Sequence, residues 1–202
     1  MFLRKFVFII GFLTACVSSN QSSLTKAVSV AADESIIISA PKGFCVDQKM
    51  AKKVSEAITI FVVDCISVEG SKGTENFRRP ISTILTATII GPVEKDLVSV
   101  EQLQEFFTTQ PGINYLSRSN STSILKVHKV ERKNEVLILL IEQRPMNMDI
   151  NQSKFFWRAF FLIERNIISL TASNFSENES AVQNLKKLIL EFSQNILIGN
   201  SA

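Results

Sequence analysis

Histidine occurs once in this 202-residue chain, as His128, and cysteine three times. Zinc sites draw their ligands mainly from Cys and His, so such a thin supply of donors excludes most familiar metal constellations. Calcium would need clustered carboxylates, and the Asp and Glu residues here are scattered. Glycine is sparse, at seven residues, and no dinucleotide-binding fingerprint, P-loop or GxSxG elbow occurs. No cofactor and no catalytic constellation is expected. His128 stands in Lys126-Val127-His128-Lys129, a charged segment, and reads as an exposed strand histidine.

What is present begins at the N-terminus. Arg4 and Lys5 precede the apolar run Phe6-Val7-Phe8-Ile9-Ile10-Gly11-Phe12-Leu13, and Leu13-Thr14-Ala15-Cys16 follows. A basic start, a short apolar core and small residues at the cut describe an export signal. The run is far shorter than the ~20 residues of a bilayer-spanning helix. The last four residues look like a bacterial lipobox, with Cys16 as the lipidated N-terminus after removal of residues 1–15. The expected location is the cell envelope, lipid-anchored, at the outer membrane and facing the periplasm, since Val17 rather than Asp follows the cysteine. Loss of Arg4 and Lys5 lowers the 22 basic residues to 20 against 19 acidic ones. That near-neutral balance leaves no cationic footprint for nucleic acid.

With Cys16 used by the lipid, Cys45 and Cys65 remain as an even pair in an oxidising compartment, where a disulfide is expected. Residues 16–33 are polar and without period, and read as a flexible tether. Residues 34–202 then form one globular domain.

Ser35-Ile36-Ile37-Ile38-Ser39 is a strand stopped by Pro41-Lys42-Gly43. Met50, Val54 and Ala57 share one side of a helix over Gln48–Ala57, with Asp47 as its N-cap. The helix is followed by a strand over Ile58–Val68 containing Asp64 and Cys65, so that Cys45 and Cys65 flank the helix. Ile81–Ile90 is a strand. Ser99-Val100-Glu101-Gln102 is a capping box opening a helix to about Thr109, with Leu103, Phe106 and Phe107 as its buried stripe and Pro111-Gly112 as its stop. Two hairpins follow, Ser123–Arg132 with Glu135–Arg144 about Lys133-Asn134, and Lys154–Glu164 with Ile167–Asn174 about Arg165-Asn166. Ser176-Glu177-Asn178-Glu179 opens a final helix with Ala181, Leu185, Leu188, Ile189, Phe192 and Ile196 at helical spacing.

Val136–Ile141 and Phe155–Ile163 are almost continuously apolar, as in strands covered on both faces. The predicted class is α+β: an antiparallel sheet of about six or seven strands with helices packed on it and a long C-terminal helix closing one face, an α/β/α sandwich. Trp157, Phe155, Phe156, Phe160 and Phe161 read as core.

The element order is similar to the PsbP/Mog1-type sandwich. Ala40-Pro41-Lys42-Gly43-Phe44-Cys45-Val46-Asp47, the later Val63-Asp64-Cys65 and Phe156-Trp157-Arg158 resemble an uncharacterised family of exported alphaproteobacterial proteins with a PxGFCxD segment. That resemblance implies an exported domain with a disulfide and assigns it no activity. Three function classes follow. The first, preferred, is a non-catalytic lipid-anchored module contacting another envelope protein and the membrane through its lipid. The second is a binder of a small apolar ligand between sheet and helix. The third is an enzyme using Asp47, Asp64 and Arg158, which requires that the three converge.

Overall fold

Trp157, Ala159, Phe161 and Ile163 alternate along one strand with Phe156, Arg158 and Phe160, and every apolar member of both sets is buried. A strand buried on both faces needs cover on both sides, and the computed structural model of the protein supplies it. The structure describes residues 25–31, 34–69, 82–94, 98–116, 123–145, 154–174 and 179–201. The signal segment, Cys16 and Ser176-Glu177-Asn178 lie outside them.

The strands are β1 (Lys26–Ala31), β2 (Glu34–Ser39), β3 (Phe44–Val54), β4 (Ala57–Asp64), β5 (Thr83–Ile90), β6 (Ser123–Lys133), β7 (Val136–Pro145), β8 (Lys154–Ile163) and β9 (Asn166–Asn174). The helices are α1 (Cys65–Glu69), α2 (Val100–Thr108), α3 (Gln110–Leu116) and α4 (Glu179–Asn200). β1 and β2 form a two-stranded sheet, and the other seven form one antiparallel sheet in the order β3-β4-β5-β9-β8-β7-β6. The expected α+β sandwich with its long last helix is what the chain adopts. No described helix is long and apolar enough to cross a membrane.

α4 and β2 cover the first face. Leu185, Ile189, Phe192 and Ile196 of α4 meet Trp157, Phe161, Leu170 and Leu85, with Ile36 and Ile38 of β2 in the same core. The Trp157 indole donates to the Val182 carbonyl at 2.9 Å, so its one polar group is satisfied where its ring is buried. α2 and α3 cover part of the second face, where Val100, Leu103, Phe107 and Leu116 close on Leu137, Leu139, Ile141, Phe156 and Phe160. Phe107 stacks on Phe160 with centroids 4.4 Å apart.

Several expectations are corrected. Lys26–Ala31, assigned to the tether, is β1, and its partner is β2. The helix expected over Gln48–Ala57 does not form: the segment runs through the end of β3, the turn at Ser55-Glu56 and the first residue of β4, paired through Lys52↔Thr59 and Val54↔Ala57. Local helix propensity loses here to pairing with an apolar strand already fixed by β5. Asp47 accordingly caps no helix; its carboxylate accepts from the Lys49 amide at 3.0 Å where the β3 register shifts. β4 ends at Asp64, whose carboxylate accepts from the Ile66 amide at 2.9 Å and starts α1 at Cys65.

Ser99 and Gln102 do form the capping box of α2. Phe106 leaves the stripe, 38% exposed and edge-on to Tyr115 at 6.0 Å. Pro111 and Gly112 do not stop the chain but enter α3. Pro is tolerated in a first helical turn because its missing N–H has no partner to lose there. The hairpin turns centre on Ser55-Glu56, Asn134-Glu135 and Glu164-Arg165, one residue away from the expected positions in the last two cases. Each has a positive φ at its first residue, 52°, 55° and 50°.

Candidate functional site

The register aligns three rows of side chains across the second face. One runs Arg158, Thr171, Thr86, Phe61. The next runs Phe160, Ser169, Thr88, Thr59, and the third Leu162, Ile167, Ile90, Ala57, Val54. The pleat puts alternate residues on one face, so β5 sends Leu85, Ala87 and Ile89 into the core under α4 and Thr86, Thr88 and Ile90 to this side. α2 and α3 cover the sheet only as far as β8 and leave a groove over β4, β5 and β9.

The groove has a volume of about 550 Å³ and lies between the sheet and α3. Thr59, Thr88 and Ser169 form its hydroxyl floor. Thr59 and Thr88 hydroxyls meet at 3.0 Å. Phe160, Leu116, Ile90, Ala57 and Val54 supply apolar walls, with Asn114 and Tyr115 on the α3 side. Val54 is 70% and Tyr115 62% exposed, so the mouth of the groove presents apolar surface to water, as binding sites do.

Among the described residues Arg158 is the one charged member of the lining. Its Nε donates to Thr171 Oγ1 at 3.2 Å, an Nη donates to the Leu116 carbonyl at 3.5 Å, and its guanidinium carbon stands 5.4 Å from the centre of the Phe156 ring. The group is thus held between α3 and the sheet.

A second polar cluster lies at the far edge. β6 carries a register shift between Val127 and Lys129, and the intervening His128 bonds the buried Glu142 carboxylate at 2.6 Å. A bulge re-aims a side chain in this way. His128 is an exposed strand residue, as expected, and carries this bond to Glu142 in addition. Arg144 Nε donates to the other Glu142 oxygen at 2.5 Å. That bond holds the Glu142 carboxyl below its ordinary range, against the opposing pull of burial and with a smaller contribution from His128. Nearby, Glu131 is lowered by bonds from Lys129 and Lys186, and Lys186 stands 5.2 Å from the centre of the Trp157 ring.

Asp47, Asp64 and Arg158 do not converge. Asp64 is three strands and Asp47 four strands from Arg158, about 14 and 19 Å at the usual strand spacing. Each carboxylate serves its own turn. Cys45 and Cys65 are joined by a disulfide with Cα atoms 4.7 Å apart; they flank the β3–β4 hairpin rather than a helix. Gly43, at φ +85°, permits the turn in which the Phe44 amide reaches the Pro41 carbonyl at 3.0 Å. Among the described residues no group of three or more His, Cys, Asp and Glu is placed to hold a metal.

Thr59, Thr88, Ser169, Glu142 and Arg144 went unremarked in the sequence. Only the alternation of Thr86 and Thr88 with Leu85, Ala87 and Ile89 announced a polar-facing row.

No family model and no curated protein matches the chain. Among solved structures, the Ran-binding protein Mog1p of Saccharomyces cerevisiae is similar at 12% identity, covering 87% of this chain and 94% of that one, with a TM-score of 0.49. The solution structure of cyanobacterial PsbP (CyanoP) from Synechocystis is similar at 14% identity, covering 92% and 98%, also at 0.49. These are the PsbP/Mog1 type that the element order resembles. Nothing about the site is carried over from them.

Proposed function

We propose that this chain is an exported bacterial protein held in the cell envelope by a lipid on Cys16, at the outer membrane and facing the periplasm, and that its domain is a non-catalytic binding module. The observation that carries the location is Leu13-Thr14-Ala15-Cys16 behind a basic start and a short apolar run. The Cys45–Cys65 bond supports an oxidising compartment. The separation of Asp47, Asp64 and Arg158 removes the one catalytic grouping considered. Metabolic labelling with a palmitate analogue in a bacterial host tests the anchor. The wild type should take up label and fractionate with membranes, and Cys16→Ser should do neither; unchanged labelling and fractionation would refute the lipid.

A second reading, a small apolar ligand between sheet and helix, is favoured by one observation: Phe160, Leu116, Ile90 and Val54 line an open groove between the sheet and α3.

A further inference from the structure

We propose that the groove binds a flat, neutral, ring-built apolar molecule with a carbonyl oxygen, the oxygen on the Thr59–Thr88 hydroxyl pair and the rings among Phe160, Leu116, Ile90 and Val54. The proposal rests on the second reading above and names the ligand class for it. Three features carry it.

The first is a count of hydroxyl hydrogens. Thr59 and Thr88 share one hydrogen bond at 3.0 Å. Each threonine brings one O–H, so the pair spends one hydrogen and keeps the other for a third partner, whichever of the two donates. Both residues line the groove, and Thr88 is 4% exposed. A hydrocarbon lying over the pair would shut the remaining O–H away from water, which costs free energy. A carbonyl oxygen accepts it instead.

The second is neutrality. Arg158, the charged member among the described lining residues, is already built into the fold: it bonds Thr171 and the Leu116 carbonyl and stands against the Phe156 ring. It braces α3 over the sheet, and the hydroxyls and apolar walls are what the ligand meets. A charged group laid on such a surface would lose its hydration without equal return.

The third is shape. Thr59, Thr88 and Ser169 stand side by side on adjacent strands, so their row spans about 10 Å at the usual strand spacing. These side chains and Ala57 are short, whereas Phe160, Leu116, Tyr115 and Val54 around them are large. A floor of short side chains between larger ones suits a slab, and a rigid ring system gives up little conformational freedom on binding. Covering Val54 and Tyr115, both exposed at the mouth, removes apolar surface from water. The volume of about 550 Å³ falls within the usual range of about 300–1,000 Å³ for a small-molecule site.

Equilibrium dialysis of the purified mature protein tests this with 2-acetylnaphthalene, 2-ethylnaphthalene (the same outline without the oxygen), 2-dodecanone and sodium 2-naphthoate. The wild type should bind 2-acetylnaphthalene at one saturable site, about fivefold tighter than 2-ethylnaphthalene, the scale of one hydrogen bond, and tighter than the other two. Thr59→Val/Thr88→Val removes both hydroxyls together at nearly constant size, a replacement close to neutral for folding, and should bring the ketone down to the affinity of the hydrocarbon. Ala57→Phe fills the floor and should abolish binding of every probe. Equal affinity for ketone and hydrocarbon in the wild type, or a preference that survives in the double variant, overturns the carbonyl contact and leaves an apolar-ligand site standing. Tightest binding by 2-naphthoate overturns the neutral ligand, and tightest binding by 2-dodecanone overturns the ring. Absence of saturable binding, or binding unaltered by Ala57→Phe, overturns the proposal together with the second reading. None of these outcomes depends on the Cys16 labelling result.

Discussion

Asn200, near the end of α4, takes both backbone groups of Ile37 in β2. Its Oδ1 accepts from the Ile37 amide at 2.9 Å, and its Nδ2 donates to the Ile37 carbonyl at 2.8 Å. Across from Ile37, β1 offers Val28, but the Ile37 groups face away from it and would otherwise be open on that edge. A side-chain amide thus stands in for a further strand, 163 residues away in sequence, and fixes β2 under α4, where Ile36 and Ile38 are buried. Asn200→Ala removes both bonds and leaves a half-buried amide and carbonyl unsatisfied. The expected loss is about 1–3 kcal/mol, read as a lowered urea midpoint. An unchanged midpoint would show that water replaces the amide without cost.

The Cys45–Cys65 bond closes a separation of 20 residues, for which the chain-entropy estimate is about 3 kcal/mol. Cys65 is held a second way, by its amide donating to the Gly43 carbonyl at 3.1 Å. Cys45→Ala/Cys65→Ala should cost about 2–5 kcal/mol yet leave ligand binding intact, since neither cysteine lines the groove. Thiol counting on denatured, unreduced mature protein checks the bond directly; two reactive thiols would contradict it.

The parts legible in sequence were those whose hydrophobic period is long and uninterrupted. α4 shows Ala181, Leu185, Leu188, Ile189, Phe192 and Ile196 at helical spacing; all are buried except Leu188, which is partly buried against the same core. β7 and β8 show apolar runs that demand cover on both faces. What stayed hidden depends on pairing. Met50, Val54 and Ala57 fit a helix as well as they fit a strand, and the Ser55-Glu56 turn that settles the matter has none of the Asn-Gly chemistry that marks a hairpin. Asn134 does carry the turn preference, while Glu164 adopts a positive φ because the β8–β9 register requires it. The groove was opaque for the same reason. Arg158 was singled out, but Thr59, Thr88 and Ser169 come from three strands, and only the β4-β5-β9-β8 order brings them together.

Gly112 marks where α3 turns back against α2. A Cβ at this position would press on the Phe106 carbonyl, which is backbone and cannot rotate away. The sequence suggests a helix stop here; the structure uses the glycine for close approach instead. Gly112→Ala should therefore displace α3, which carries Asn114, Tyr115 and Leu116 to the groove. The expected cost is about 1–3 kcal/mol, the range for overpacking, read as a lowered thermal midpoint. A neutral effect on the midpoint would show that α3 is free to shift.

Glu142 makes the stability of the domain depend on acid. Its side chain is 2% exposed, bonded to Arg144 and to His128, and its carboxyl lies below the ordinary range chiefly through the Arg144 bond. Glu131 is lowered in the same direction by Lys129 and Lys186. A carboxyl with a depressed folded value binds protons more weakly folded than unfolded. Its stabilisation is therefore complete above the unfolded value of about 4.3 and is lost as pH falls through the folded one. Glu142→Gln should cost about 1–2 kcal/mol at pH 7, the lower part of the range for a bond to a charged group because Arg144 is largely exposed. The gap to wild type should narrow as the medium is acidified, because the wild type then loses what the variant never had. Urea midpoints of both proteins at pH 7 and at about pH 3.5, below the unfolded carboxyl value, decide the matter. A gap of equal size at the two pH values would mean that Glu142 contributes by shape and not by charge.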